Sequence, residues 1–115
     1  MSGRSAQRKG RAAEIELARY LQEAGFPDAR PGDPLNYGTM PDVIGVDGLH
    51  IECKRHEKLE INKWYTQAAA DAERMQDGKP AVIFRQNRQQ WKIVLSLEDF
   101  LDLIGGAGHG KEVHG

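Results

Sequence analysis

The sequence predicts an α/β domain built on a central mixed sheet, in the order α-β-β-α-β-β-α. Three observations carry this. Two stretches repeat apolar residues at helical spacing, residues 11–24 and 62–76. Between them, two β-rich runs flank Asp47-Gly48, a hairpin signal. After the second stretch comes a short unbroken apolar run, Ala81 to Phe84, as in a buried strand. Strands interleaved with helices in this way call for a sheet covered by helices.

The first helix spans about Arg11 to Ala24, with Ala13, Leu17, Tyr20, Leu21 and Ala24 as its apolar stripe. At 100° per residue, Glu14 falls about 60° from the centre of that stripe, on its edge. Gly25 and Pro27 end the helix. Residues 27–41 are rich in proline and glycine and read as a loop, with room for one short strand near 28–38. In the second arm of the hairpin, Leu49, Ile51 and Cys53 face one way, and His50, Glu52 and Lys54 face the other. The second helix presents Ile61, Trp64, Tyr65, Ala68, Ala69, Ala72 and Met75 along one side. Trp91, Ile93 and Leu95 alternate as a last strand, and Ser96 with Asp99 caps a short final helix that Gly105-Gly106 stops.

With 115 residues there is room for one domain. We divide the chain into a basic, flexible arm (1–10), a catalytic domain (11–104) and a glycine-rich tail (105–115). No apolar run reaches the roughly 20 residues of a membrane span, and the N-terminus lacks a signal-peptide core. The lone Cys53 can neither staple the fold nor build a thiolate metal site. A cytoplasmic protein with no membrane partner is the expectation. Net charge is −1, so bulk electrostatics do not point to nucleic acid. Basic residues nevertheless gather at Arg4, Arg8, Lys9 and Arg11, around Lys54, Arg55, Lys58 and Lys63, and at Arg85, Arg88 and Lys92.

Chemistry concentrates on the hairpin. Glu52 and Lys54, two apart on a strand, project from one face about 7 Å apart. Asp42, after Pro41, offers a second carboxylate from the neighbouring strand. Two carboxylates and a backbone carbonyl, that of Cys53, suit a hard divalent cation such as magnesium. A lysine beside the cation can orient an attacking water or neutralise developing charge. Together these are the requirements of phosphodiester hydrolysis. The alternative is a turn at Pro41-Asp42 and a solvated strand. Parity poses a condition: with a strict two-residue turn at Asp47-Gly48, Asp42 would pair with Cys53 and point away from Glu52. A bulge at Gly45, or a break at Pro41-Asp42, restores the geometry.

These residues resemble the archaeal-type Holliday junction resolvases and similar small phage nucleases of the PD-(D/E)xK superfamily. The resemblance rests on Lys9-Gly10 with Glu14, on Pro41-Asp42-Val43-Ile44 and on Glu52-Cys53-Lys54. Gln67, Ala81 to Arg85 and the Trp91 strand extend it over residues 9–104. It implies a restriction-endonuclease-like core, Asp42 and Glu52 as metal ligands, Lys54 as the catalytic lysine and Glu14 as an accessory carboxylate. Thr39 stands where the resolvases use a loop hydroxyl, and Gln67 where related nucleases place a glutamine near the site. Implied partners are branched DNA and a second copy of the chain in a homodimer, with Mg2+ as cofactor and Mn2+ as substitute. Arg4, Arg8, Lys9, Arg11, Arg55 and Lys63 are the candidates for nucleic-acid contact. Ile15 and the apolar residues Phe100, Leu101, Leu103 and Ile104 are candidates for a dimer surface or for the end of the monomer core. A nuclease on single-stranded, flap or nicked DNA, or a DNA-binding subunit whose chemistry has decayed, are the competing readings. His50, though on the face of Glu52, is read as a strand-surface histidine.

Overall fold

In the structure, a computed structural model, residues 2–33 and 40–105 are described, with side chains from Gly10 onward. The elements are α1 (Ser2–Glu23), β1 (Arg30–Pro31), β2 (Val43–Ile44), β3 (Leu49–Arg55), α2 (Ile61–Met75), β4 (Lys79–Arg85), β5 (Lys92–Val94) and α3 (Leu97–Gly105). The five strands form one sheet in the order β1-β2-β3-β4-β5. All neighbours are antiparallel except β3 and β4, which pair in parallel across the α2 crossover. A mixed sheet flanked by helices is what the hydrophobic pattern predicts, and β1 fills the place left for a strand near 28–38.

Alternation along β3 and β4 divides the core. Ile51, Val43 and Ile83 meet Leu17 and Ala18 of α1, with Cys53 packed at the margin. Val82 and Phe84 meet Trp64 and Ala68 of α2 on the opposite face. Two details of α1 depart from the expected helix. It begins at Ser2, so the backbone of residues 2–10 is helical where an arm was expected. Its buried side is Ala13, Leu17 and Ala18, while Tyr20 is more than half exposed. The contact face is therefore rotated toward Glu14, bringing that carboxyl closer to the sheet than the stripe through Tyr20 implied.

The hairpin resolves the parity problem. Leu49 N–H closes a tight turn on Val46 carbonyl at 3.3 Å, yet Val43 pairs with Ile51. An extra residue therefore lies on the β2 side between the turn and the pairing, and Gly45, at φ 95°, is the break. Asp42 comes opposite Glu52, on the same face. Gly45 is demanded twice over, because a Cβ there would lie 1.9 Å from the Asp28 carbonyl oxygen. Gly45→Ala should accordingly cost about 2 kcal/mol or more and lower the melting temperature by roughly 10 °C. An unchanged thermal melt would overturn the requirement for glycine at this position.

β2 is short, so the last residues of β3, Cys53 to Arg55, have no strand on that side. The open edge is where the candidate site lies.

Candidate active site

A cavity of about 490 Å³ opens beside this edge, lined among others by Glu14, Asp42, Cys53, Lys54, Arg55 and Asn87. α1 gives it Glu14 and the segment before β2 gives Asp42. Glu52 of β3 does not line the cavity but lies close enough for its charge to act on Asp42. Asp42 Oδ2 accepts the Cys53 backbone N–H at 2.8 Å, so the carboxylate takes the position a strand carbonyl would occupy. The N–H and C=O of one strand residue point to the same side. The Cys53 carbonyl therefore also faces the open edge, beside Asp42.

The electrostatics follow from crowding. Burial first, and then the charge of Glu52, push the Asp42 carboxyl up to about 8, against the pull of the Cys53 N–H. Glu14 is raised as well, chiefly by burial, with the Arg11 guanidinium opposing. Its carboxyl is 15% exposed and 3.6 Å from Arg11, and it and Glu52 both lie near enough to Asp42 to act on its carboxyl. Raised to about 8, the Asp42 carboxyl keeps its proton at neutral pH. Acids from three segments acting on one another at this edge form a donor set suited to a hard divalent ion. Burial pushes the Cys53 thiol above its ordinary range; its sulfur is no thiolate ligand, leaving the backbone carbonyl as the group that residue can offer.

Of the other sequence candidates, Lys54 lines the cavity with Arg55. Arg55 donates to Asn87 Oδ1 at 2.8 Å and lies 3.7 Å from Glu16, which also pairs with Arg85 at 2.9 Å. Arg11 donates to the Gly32 carbonyl at 2.8 Å, tying α1 to the loop after β1. Lys63 is 76% exposed and beside Glu60. Gln67 is exposed on α2 and does not line the cavity. Thr39 and the side chains of Arg4, Arg8 and Lys9 lie outside the described residues.

His50 corrects the strand-surface reading, for it is fully buried. Nε2 lies 2.8 Å from Glu52 Oε2, and Nδ1 lies 2.8 Å from Asp77 Oδ1. Burial opposes its charge, but the hydrogen bonds to Glu52 and Asp77 and their charges outweigh it, so its pKa is raised. Strand parity placed His50 beside Glu52. Nothing local could supply Asp77, which arrives from the turn after α2. Asp71 of α2 was also missed; one of its oxygens falls within 4.8 Å of ligand atoms of both His50 and Glu52. That triple is a poor cation site, since carboxylates face both ring nitrogens and Asp71 pairs with Arg74 at 2.8 Å.

The architecture is similar to a solved structure, that of Archaeoglobus fulgidus Hjc, a Holliday junction resolvase from an archaeal hyperthermophile. The two are 23% identical over 76% of this chain and 72% of the other, with a TM-score of 0.56. This likeness shows the shared fold. No curated protein matches the sequence. The family described as "Phage putative PDDEXK endonuclease" matches residues 39–107, a stretch that contains Pro41-Asp42 and Glu52-Cys53-Lys54. With more than half of its length so matched, the chain belongs to this PDDEXK endonuclease family.

Proposed function

We propose that the protein is a Mg2+-dependent endodeoxyribonuclease that cuts branched DNA in the cytoplasm of a phage-infected cell. The observation that carries the reading is the meeting of Glu14, Asp42 and Lys54 in one cavity at the open end of β3, with Asp42 held as an acid by burial and by the charge of Glu52 beside it. Asp42, Glu52 and the Cys53 carbonyl would hold the ion, and Mn2+ fits the same oxygen donors. Once bound, the cation would polarise the scissile phosphate and acidify a water. Around it, the chain's own groups divide the work. Lys54 orients the attacking water or neutralises charge developing on the phosphate. Glu14 completes the acidic wall from α1. Arg55, on the cavity rim, would hold a backbone phosphate, and Arg4, Arg8, Lys9, Arg11 and Lys63 would add further phosphate contacts.

The arrangement of a catalytic unit at 11–104 between a basic leading segment and a glycine-rich tail belongs to the same reading. No helix among the described residues is long and apolar enough to cross a membrane.

Branched DNA is favoured by the fold likeness to a junction resolvase and by an unused apolar surface. Resolving a four-way junction takes paired cuts, which two equivalent sites about a two-fold axis supply. α3 has no buried residue, and Leu97, Phe100, Leu103 and Ile104 are all exposed, as is Ile93 of the edge strand β5. They offer an isologous dimer a surface beyond the needs of the monomer core. Ile15, at 42% exposure, lies apart on α1. The wild-type chain should scatter light as a dimer at micromolar concentration, and Leu103→Asp should shift it to the monomer. A monomeric wild-type chain that stays monomeric on junction DNA would remove the resolvase reading but not the nuclease. Cleavage of labelled four-way junction, flap, nicked duplex and single-stranded DNA then tests the substrate. Junction cuts paired across the branch are expected, and preference for flaps or single strands would replace that assignment.

A further inference from the structure

His50 is a fully buried polar side chain whose two ring nitrogens each face a carboxylate oxygen at 2.8 Å. Such a residue costs stability unless both contacts are made, so its presence in a small core asks for a reason. Its surroundings are firmly built. β3 fixes the backbone of His50 and Glu52 on one face, through parallel pairing of both residues with β4. Asp77 sits in the turn between α2 and β4. Gln76 closes α2 in the left-handed conformation, at φ 53°. Gly78 follows at φ 144°, where a Cβ would meet the Leu49 carbonyl carbon at 2.8 Å. Lys79 N–H donates to the Gly48 carbonyl at 2.8 Å, pinning the same turn to the start of β3. Asp77 is thereby set against His50 by backbone contacts.

We infer that His50, braced by Asp77, is a positioning residue for Glu52. The ring occupies Oε2 of that carboxylate and leaves Oε1 to turn toward Asp42 and the Cys53 carbonyl. A glutamate side chain has three rotatable bonds, and a ligand held by a second hydrogen bond loses less freedom when it binds an ion. This rests on the reading of Glu52 as a metal ligand, and the experiment separates the two.

The test is calorimetric titration of the full chain with Mn2+, without DNA, alongside a thermal melt of each variant. Glu52→Ala is the control for the ligand reading: retained Mn2+ binding there would sink that reading itself. With that control passed, His50→Gln should weaken Mn2+ binding by roughly 10- to 100-fold, and Asp77→Asn should weaken it in the same direction by less. Because Asp77 acts through His50, the double variant should bind no more weakly than His50→Gln alone, a non-additivity that a merely structural role would not produce. Wild-type affinity in a folded His50→Gln chain, or additive losses in the double variant, would overturn the inference. Should His50→Gln not fold, Asp77→Asn decides alone: its carboxyl is partly exposed, and wild-type Mn2+ affinity in that variant would overturn the inference equally.

Discussion

Glu52→Ala and Asp42→Asn should each lower metal-dependent cleavage by on the order of a thousandfold or more while leaving the fold intact. Neither change removes apolar core volume. Glu52→Ala does leave Nε2 of the buried His50 without its partner, and should lower stability by about 1–3 kcal/mol without unfolding the chain. Asp42→Asn keeps an amide oxygen to accept the Cys53 N–H and removes the charge that crowds Glu52. That variant should melt above the wild type at pH 8 without metal. Lys54→Ala should lose cleavage to a similar degree yet still bind Mn2+, because an ammonium cannot ligate a cation. Cleavage rates, melting curves and Mn2+ titrations on the three variants give a pattern no single defect in folding can imitate. Turnover at the wild-type rate in folded Glu52→Ala or Asp42→Asn would remove the site assignment, and in Lys54→Ala it would make that lysine a bystander.

A comparably large effect is expected from pH. An ion entering the site must displace the proton that Asp42 holds up to about pH 8. Apparent Mg2+ or Mn2+ affinity should therefore weaken about tenfold for each unit of pH lowered below 8, and level off above it. The metal-free fold should show the opposite trend. A carboxyl whose folded pKa is raised binds its proton more tightly in the folded than in the unfolded state. Stability is then greatest near the unfolded value, about 4, and falls until pH passes about 8. Glu14, raised chiefly by burial, pushes in the same direction, and His50, raised from its ordinary 6.5, adds to the loss only above that value. Calorimetry in buffers of different ionisation enthalpy reads the displaced proton directly. Proton release absent at pH 7, or affinity flat from pH 6 to 8, would show that Asp42 is already ionised in the free protein.

What could be read from the sequence was what depends on period and on adjacency. The strand parity of His50, Glu52 and Lys54, the apolar face of α2 and the Asp-Gly turn are local matters, and Gly45 betrayed the bulge because glycine has little other reason to stand in a strand. The position of Glu14 followed from helical geometry, although the buried face of α1 turned out to be centred on Ala13, Leu17 and Ala18. Here packing against the sheet overrode the larger Tyr20, which the stripe had included. Partnerships between distant segments were not legible. Asp77 meets His50 across 27 residues of chain, and Asn87 reaches Arg55 across 32. Such pairs exist only once β3 and β4 have aligned. The start of α1 was misjudged for a different reason: residues 2–10 have no apolar periodicity, and helix there rests on propagation from the packed turns behind it.

The open end of β3 carries one more consequence. A bare strand edge is a template for any other strand, including that of a second misfolded copy, and proteins blunt such edges with charge. Here Asp42 occupies the Cys53 N–H itself, and Glu52, Lys54 and Arg55 crowd the same few residues with charge. The side chains that make this edge a site also keep it from being extended into a foreign sheet. Asp42→Ala, unlike Asp42→Asn, would bare that N–H, and its cost would be counted in solubility as well as in catalysis.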